Sequence, residues 1–447
     1  MLMRMILPED VKRIIKTLED AGYEGYAVGG CVRDALLGRE PGDWDITTSA
    51  APEKVKELFG HTIDTGLQHG TVTVMMNHVG YEVTTYRIDG EYEDARHPKE
   101  VIFTSNLLED LKRRDFTINA MAYNETAGLV DAFGGIEDLK NGIIRCVGNP
   151  TERFQEDALR MLRAVRFSAQ LGFAIEKDTQ EAIKALAPTI AKVSAERIAV
   201  ELVKTIVSNH PENIRIAYEL GLTKVFLPEF DTMMETPQNT KHHMYSVGEH
   251  TIVSMQNIPA DKVLRLTMLL HDVAKPECRT TDENGDHFKG HEPKGVEKAK
   301  AILRRLKFDN ATIDLVAQLI RFHDERPVMA PKSLRRFYAK TGLAIVPQLL
   351  DVKIADALAQ SMFNREGKLA FVEDLRKAYE EILASQTCVQ KSQMSVTGKD
   401  LIAMGMKPGK EMGQVLDQLF EAVLEDPEMN NKENLMELAH KLILPFI

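Results

Sequence analysis

The run Gly29-Gly30-Cys31-Val32-Arg33-Asp34, followed after a Pro41-Gly42 turn by Asp43-Trp44-Asp45-Ile46, combines residue types that can handle a triphosphate. Alternate residues of a β-strand share a face, so Asp43 and Asp45 in a strand would project together and could hold a divalent metal between them. Gly29 and Gly30 follow the apolar run Tyr26-Ala27-Val28 and can bring backbone N–H groups close to phosphate oxygens, while Arg33 adds a planar cationic fork. The chemistry this favours is metal-assisted phosphoryl transfer.

At this spacing, flanked by apolar strand residues, the segment resembles the first signature of the DNA polymerase β superfamily of nucleotidyltransferases. The nearest likeness is to bacterial class II tRNA CCA-adding enzymes and their poly(A) polymerase relatives. Lys112-Arg113-Arg114-Asp115-Phe116-Thr117-Ile118-Asn119-Ala120-Met121 matches the second signature of that family. Arg114 would contact the incoming triphosphate, and Asn119 would hydrogen-bond its ribose. Superfamily members often add a third carboxylate from a neighbouring strand, for which Glu82, alternating with Tyr81 and Val83, is the candidate and Asp115 the runner-up. The resemblance implies Mg2+ in this head, held by Asp43 and Asp45, and an in-line displacement of pyrophosphate.

A third element is Glu156-Asp157-Ala158-Leu159-Arg160, extended by Arg163 and Arg166. On one helix, the spacing of three would put Asp157, Arg160, Arg163 and Arg166 in a slowly winding polar stripe, opposite a packed face of Phe154, Ala158, Met161, Leu162 and Val165. Asp157 can accept from an exocyclic amine while Arg160 donates to the adjacent ring nitrogen, a match to cytosine and adenine and a mismatch to uracil and guanine. In the CCA-adding family the corresponding motif selects CTP and ATP without a nucleic-acid template. The charged segment Asp89 to Pro98 has no apolar periodicity and reads as a loop. CCA-adding relatives carry a flexible loop there that helps the switch from C to A addition.

Farther along, His250, the pair His271-Asp272 after an apolar run, His291, His323 and Asp356 are ligand types for a divalent ion of unspecified identity. Their order resembles the HD phosphohydrolase domain, whose ligands would be His250, His271, Asp272 and Asp356. His291 and His323 are left to bind a second ion or a substrate phosphate, and Lys275 to neutralise phosphate charge. HD domains joined to CCA-adding enzymes act on 2′,3′-cyclic phosphates and 2′-phosphates, which would suit repair of tRNA ends.

The elements that must position these groups are legible in outline. A helix is predicted over about Pro8 to Ala21, where Val11, Ile14, Ile15 and Leu18 recur at helical spacing, and strands over Tyr26–Val28, Asp43–Thr47, Gly70–Met76 and Tyr81–Arg87. Asn77-His78-Val79-Gly80 reads as a hairpin connection. From Asn149 the pattern turns helical, with Asn149 as N-cap and Pro150 at the first helical position. A polar loop around Pro228 to Asn239 marks a boundary.

The fold class is therefore α+β, a polymerase β-like head with a mixed sheet followed by all-α neck, body, HD and tail regions. The predicted domains are 1–148 (head), 149–230 (nucleotide selection and RNA binding), 240–370 (HD metal site) and 371–447 (helical tail). At 447 residues, 44% hydrophobic and 28% charged, the chain has room for several cores. Its net charge of −11 excludes an overall basic field, so an RNA partner must be held by a local patch. Four scattered cysteines and the lack of a signal or membrane-length apolar run suggest a reduced cytoplasmic enzyme. The expected partners are tRNA, CTP and ATP, with no membrane and no obligate protein partner. Two other readings stay open: a poly(A) polymerase or an enzyme adding only CC or only A, and a phosphohydrolase whose head merely binds nucleotide or RNA.

Overall fold

A computed structural model describes residues 5–90 and 101–444, in two compact units that divide between Asp231 and Thr232. Of the predicted loop from Asp89 to Pro98, residues 91–98 lie outside the described residues.

The first unit opens with α1 (Glu9–Asp20), whose Val11, Ile14, Ile15 and Leu18 are buried as their spacing requires. Complete burial of Ile14 and Leu18 stabilises the packing of this helix by roughly 1.5–3 kcal/mol each. There follow β1 (Gly25–Val28), α2 (Gly30–Leu36), β2 (Ile46–Thr48), α3 (Pro52–Leu58), β3 (Thr62–Gly66), β4 (Thr71–Met76) and β5 (Val79–Thr85). Asn77 and His78, at φ 48° and 66°, form the two-residue link between β4 and β5. Both angles fall in the left-handed region that a strand-matching tight turn requires.

Next are β6 (Arg87–Asp89), β7 (Val101–Phe103), α4 (Leu107–Lys112), β8 (Met121–Asn124), β9 (Gly128–Asp131), α5 (Gly135–Asn141) and β10 (Ile143–Ile144). Seven strands form one sheet in the order β3-β4-β5-β2-β1-β8-β9, and β6 pairs with β7 separately. Within the large sheet β2 and β5 run parallel, and the other neighbours run antiparallel. Tyr26, Val28, Tyr86, Leu107, Leu111 and Ala122 belong to one buried cluster that joins α4 to this sheet.

Two sequence expectations need correction here. The strand placed at Asp43–Thr47 begins only at Ile46, which is the first residue of the segment in register with β1. The continuous helix expected after Asn149 is broken in two. Asn149 does cap α6 (Pro150–Glu156), accepting from Thr151 N–H, but Asp157 has extended dihedrals (φ −142°, ψ 105°). A new helix, α7 (Leu159–Leu171), then begins.

Beyond it come β11 (Ala174–Ile175), which pairs in parallel with β10, then α8 (Lys177–Leu186) and α9 (Ala195–Ile206). Three short helices, α10 (Ile214–Glu219), α11 (Thr223–Phe226) and α12 (Pro228–Glu235), complete the series, and the division between the units falls within α12. The expected loop at 228–239 is thus helical over its first two thirds. Pro228 suits a first turn, and Phe230 and Met233 are buried, so packing overrides the polar composition.

The second unit is mainly helical. It contains α13 (Val247–Gln256), α14 (Lys262–Leu270), α15 (Lys275–Cys278), α16 (His291–Arg305), α17 (Asn310–Phe322), α18 (Pro331–Thr341), α19 (Val346–Ala359) and α20 (Arg365–Ala384). A small hairpin, β12 (Thr280–Asp282) with β13 (Gly285–His287), interrupts them, turning at Glu283-Asn284, with Gly285 at φ 109° opening β13. The tail is helical as expected, with α21 (Gly398–Ala403), α22 (Lys410–Glu425) and α23 (Lys432–Ile443).

Candidate active site

The first cleft is built where β1 ends. Gly29 has φ 82° and ψ −128°, and a Cβ there would lie 2.9 Å from Arg114 Nη1, so both backbone angle and close approach call for glycine. Its own N–H is spent on the Met121 carbonyl at 3.1 Å. The amides without an intrahelical acceptor therefore begin at Gly30, in the first turn of α2. Arg33, on the next turn, is buried and grips Asp34 through Nε and Nη2, both at 2.9 Å, while Nη1 donates to Asn119 Oδ1 at 2.7 Å.

Asp43 and Asp45 are exposed on the segment entering β2. The Asp45 carbonyl still accepts from Val28 N–H at 3.0 Å, which anchors the segment to β1 and leaves the carboxylate outward. Because Ile46 pairs with Val83 in the parallel β2–β5 ladder, Glu82 comes alongside Asp45. Desolvation in the cleft and the negative charge of Glu82 push the Asp45 carboxyl above its ordinary range, Arg114 opposing and Asp43 adding. Such mutually repelling oxygen donors fit a hard divalent cation such as Mg2+.

Asp115, the other candidate for third carboxylate, is committed elsewhere. It is buried, with Oδ2 accepting from Arg163 Nε at 2.7 Å and Oδ1 accepting from Phe116 N–H at 2.8 Å and Asn119 Nδ2 at 3.2 Å. Burial alone would raise its pKa, but Arg163 and Arg160 bring it down to about 2. The Phe167 ring gathers Arg166 at 4.1 Å, Arg33 at 5.1 Å and Arg163 at 5.4 Å from its centroid. Arg166 also pairs with Glu201 at 3.3 Å, and burial lowers its pKa to about 10. Asp43, Asp45, Gly29 and Gly30 open onto a cleft of about 470 Å3, which Arg33, Arg114, Asn119, Arg163 and Arg166 also line. Lys204 of α9 and Gln170 of α7 join them, unforeseen from the sequence because nothing local links them to the motifs.

Asp157 and Arg160 do not line this cleft, and the Arg160 N–H donates to the Asp157 carbonyl at 3.0 Å. Asp157 caps α7 by accepting from Leu159 N–H at 3.0 Å and pairs with Arg197 Nη2 at 2.7 Å. Arg160 reaches Glu156 at 2.5 Å and the Arg113 carbonyl at 3.0 Å. An Asp two residues before an apolar helical run is an N-cap signal, and it explains the break that periodicity alone missed.

Asp110 is a further residue that the motif reading passed over. It is fully buried on α4, where Oδ1 accepts from Arg113 Nε (3.0 Å) and Nη2 (2.8 Å), and Oδ2 lies 3.4 Å from Arg114 Nη2 and 3.3 Å from Thr47 Oγ1. Although burial raises its pKa, Arg113 and Arg114 more than reverse this and hold the carboxyl below its usual range. The i, i+3 and i, i+4 spacing to two arginines was the available signal. Asp110→Asn is expected to raise KM for the nucleoside triphosphate about tenfold by loosening Arg114, equivalent to ~1.4 kcal/mol, with kcat changed less than about threefold. Steady-state kinetics of nucleotide incorporation check this, and an equal fall in kcat would refute it.

The second unit holds a separate cluster. His250 comes from α13, His271 and Asp272 follow the end of α14, His291 starts α16, His323 caps α17 and Asp356 lies on α19. His250 Nε2 lies 2.9 Å from Asp356 Oδ1 and 3.2 Å from His271 Nε2, and His271 Nε2 lies 3.2 Å from Asp272 Oδ2. The four expected HD ligands thus come together, and their mixed nitrogen and carboxylate donors fit a divalent ion. Lys275 Nζ sits 2.7 Å from Asp272 Oδ2, and His291 and His323 approach the other oxygen. The adjoining cleft, of about 420 Å3, is rimmed by Lys275, Lys289, Arg326 and Lys368. No helix among the described residues is long and apolar enough to cross a membrane.

The profile of the poly(A) polymerase head domain matches residues 25–145, that of the RNA- and SrmB-binding site of polymerase A matches 172–234, and that of tRNA nucleotidyltransferase domain 2 matches 294–439. The CCA-adding enzyme of Lactobacillus helveticus (strain DPC 4571) is 37% identical over 432 residues, covering 96% of each chain. That of Enterococcus faecalis (strain ATCC 700802 / V583) is 34% identical over 97% of each. The crystal structure of the Bacillus stearothermophilus CCA-adding enzyme in complex with CTP superposes with a TM-score of 0.74 at 32% identity, over 98% of both chains. Thermotoga maritima CCA-adding enzyme complexed with tRNA shares the fold, with a TM-score of 0.58 at 22% identity over 98% of this chain and 97% of its own. With identity of this degree along nearly its whole length, the chain belongs to the CCA-adding enzyme family.

Proposed function

We propose that the first unit adds C, C and A to the 3′ end of tRNA from CTP and ATP without a template, releasing pyrophosphate. The observation that carries this is the cleft in which Asp43 and Asp45 face Arg33 and Arg114 beside Gly29 and Gly30, in a chain 37% identical to a CCA-adding enzyme. Asp43, Asp45 and Glu82 would hold Mg2+, which when bound supplies positive charge for activating the RNA 3′-hydroxyl and for the departing pyrophosphate. Arg33 and Arg114 take the triphosphate together with the Gly30 amide, and Asn119, fixed by Arg33 and Asp115, meets the ribose. Fixed donors of this kind orient the nucleotide for in-line attack without reorganising at the moment of reaction.

Base selection requires Asp157 and Arg160 to exchange their present partners, Arg197 and Glu156, for the Watson–Crick edge. Arg160→Ala is expected to cut the preference for CTP over UTP by about tenfold to a hundredfold, the discrimination of one good bidentate contact. Single-nucleotide incorporation rates with each triphosphate measure it, and an unchanged ratio would remove the pair from base choice. The overall reading is tested by supplying Mg2+, CTP, ATP and a tRNA lacking its last three nucleotides, then sequencing product ends. Discrete CCA ends are expected, whereas unlimited A-tails, or ends stopping at CC or gaining only A, overturn it.

In the second unit, His250, His271, Asp272 and Asp356 would hold a divalent ion, which when bound supplies a water activated for phosphate-ester hydrolysis. Lys275 and the basic rim would hold the ester's phosphate. The substrate class we propose is a 2′,3′-cyclic phosphate or 2′-phosphate. All four cysteines are buried and unpaired, which supports a reducing, cytoplasmic setting.

A further inference from the structure

Beside the histidine cleft of the second unit lies a recess of about 220 Å3, lined chiefly by α19, α20 and the turn before α20. The two cavities share His323, Asp324, Arg326, Asp356 and Lys368, so one opens into the other. Lining the recess alone are Ala357, Phe371, Val372, Asn364, Gly367 and Lys353. The first three make an apolar wall. Lys353, the one cation among the six, directs its Nζ at the His323 carbonyl (2.8 Å) and the Glu325 carbonyl (2.7 Å). With that cation spent and no carboxylate of its own, this end suits a flat neutral group and not a second phosphate.

The sequence around the start of α20 sets that surface. Asn364, Gly367 and Phe371 follow one another at spacings of three and four and so share one side of the helix. Asn364 has φ 52°, a left-handed angle that asparagine tolerates better than most residues. A Cβ at Gly367 would collide with Asn364 Oδ1, so glycine is what lets the amide rest over the first turn. That amide does not cap α20 and makes no other hydrogen bond among the described residues. The half-buried Phe371 ring likewise has no aromatic or cationic partner among them. An amide that both donates and accepts, beside an unstacked ring, offers what a nucleobase needs: a partner for its edge and a surface for its face.

We propose that this recess holds a purine base, with Phe371 stacked on its face and Asn364 paired with its edge. The proposal rests on the hydrolase reading and deepens it, by naming what the phosphate ester carries. A 2′-phosphate or 2′,3′-cyclic phosphate sits on a ribose whose base is one glycosidic bond away, so an ester in the histidine cleft brings its base to the shared mouth. A cavity of ~150 Å3 takes one benzene ring. The 220 Å3 here accommodates the two fused rings of a purine and is underfilled by a pyrimidine. Asparagine can meet adenine through N6 and N7 at once, which fixes the ring in its plane. A free nucleotide and the last residue of an RNA present the same purine, ribose and phosphate to this site.

The test compares kcat/KM of the full-length protein, supplied with Mn2+, for adenosine 2′-phosphate, uridine 2′-phosphate and glycerol 2-phosphate, which has no base. Adenosine 2′-phosphate is expected to lead uridine 2′-phosphate by about tenfold and glycerol 2-phosphate by more. Phe371→Leu keeps apolar bulk but removes the aromatic face, and is expected to lower the adenosine-to-glycerol ratio about tenfold, through KM and not kcat. Calorimetric binding of adenosine 2′-phosphate to metal-free protein should weaken by the same factor, a readout that needs no turnover. Equal kcat/KM for the three esters, or a ratio and an affinity that Phe371→Leu leaves in place, overturns the base recess and spares the hydrolase reading. Binding that depends on Phe371 without hydrolysis of any ester keeps the recess and removes the hydrolase reading. A trinucleotide ending in adenosine 2′,3′-cyclic phosphate separates the two sources of the purine: hydrolysis as fast as that of the mononucleotide assigns the recess to an RNA end, exclusion to a free nucleotide. The comparison of esters on the unaltered protein does not depend on any variant folding.

Discussion

Asp45→Ala is expected to slow CMP incorporation into a tRNA lacking its last three nucleotides by at least about 10^3-fold, at saturating CTP and Mg2+. The size follows from position. Asp45 shares its cleft with Asp43 and lies alongside Glu82; desolvation first, and then the charges of Glu82 and Asp43, raise its pKa, and a bound cation would oppose all three. The side chain is exposed, and the structural bond of this segment to β1 is made by the Asp45 carbonyl, which alanine keeps. Thermal stability should therefore move by less than about 0.5 kcal/mol. Asp43→Ala should behave alike, and the double variant should be little worse than either single one, since residues acting as a unit do not add. Residual activity above about a tenth, measured by primer extension on folded protein, would remove the proposed metal site.

The second large effect is expected from His271→Ala, which should abolish phosphate-ester hydrolysis of 2′,3′-cyclic nucleotides, a loss of about 10^3-fold or more. His271 is fully buried and its Nδ1–H holds the Met268 carbonyl, so alanine also costs packing, on the order of 2–4 kcal/mol. Asp272→Asn separates the two effects. It keeps the volume but removes the charge that faces all four imidazoles, so hydrolysis should vanish while the far-ultraviolet circular dichroism spectrum stays as it was. Hydrolysis persisting in folded Asp272→Asn protein would sink the hydrolase reading.

What could be read from the sequence was what local periodicity and turn chemistry encode. Val11, Ile14, Ile15 and Leu18 marked α1 because a 3.6-residue repeat is a property of neighbours, and Asn77-His78-Val79-Gly80 marked a hairpin connection that the structure narrows to Asn77 and His78. The motif residues Arg33, Arg114 and Asn119 line one cleft, and His250, His271, Asp272 and Asp356 gather in another. Partner choice was not legible. Asp157 carries the same local pattern whether it faces Arg160 or Arg197, and only the fold brings Arg197 to it. The start of β2 at Ile46 depends on where β1 offers register, which no window around Asp43 contains. As third carboxylate Glu82 stood ahead of Asp115 in the sequence, with nothing there to decide between them. Parallel pairing sets Glu82 beside Asp45, whereas Arg163 engages Asp115.

The three arginines around Phe167 have a consequence for how the empty cleft behaves. Each arrives with a carboxylate already attached: Arg33 with Asp34, Arg163 with Asp115 and Arg166 with Glu201. The cluster works as an ion exchanger whose resin is loaded before the polyanion comes. Without substrate it carries little unbalanced charge, so the fold needs no scavenged phosphate to hold it together. A triphosphate entering the cleft would have to trade places with internal counterions, and a ligand that offers several oxygens at once would make that trade favourable. Such a cleft would distinguish a triphosphate from the single phosphates of an RNA backbone by valence, before any base is read.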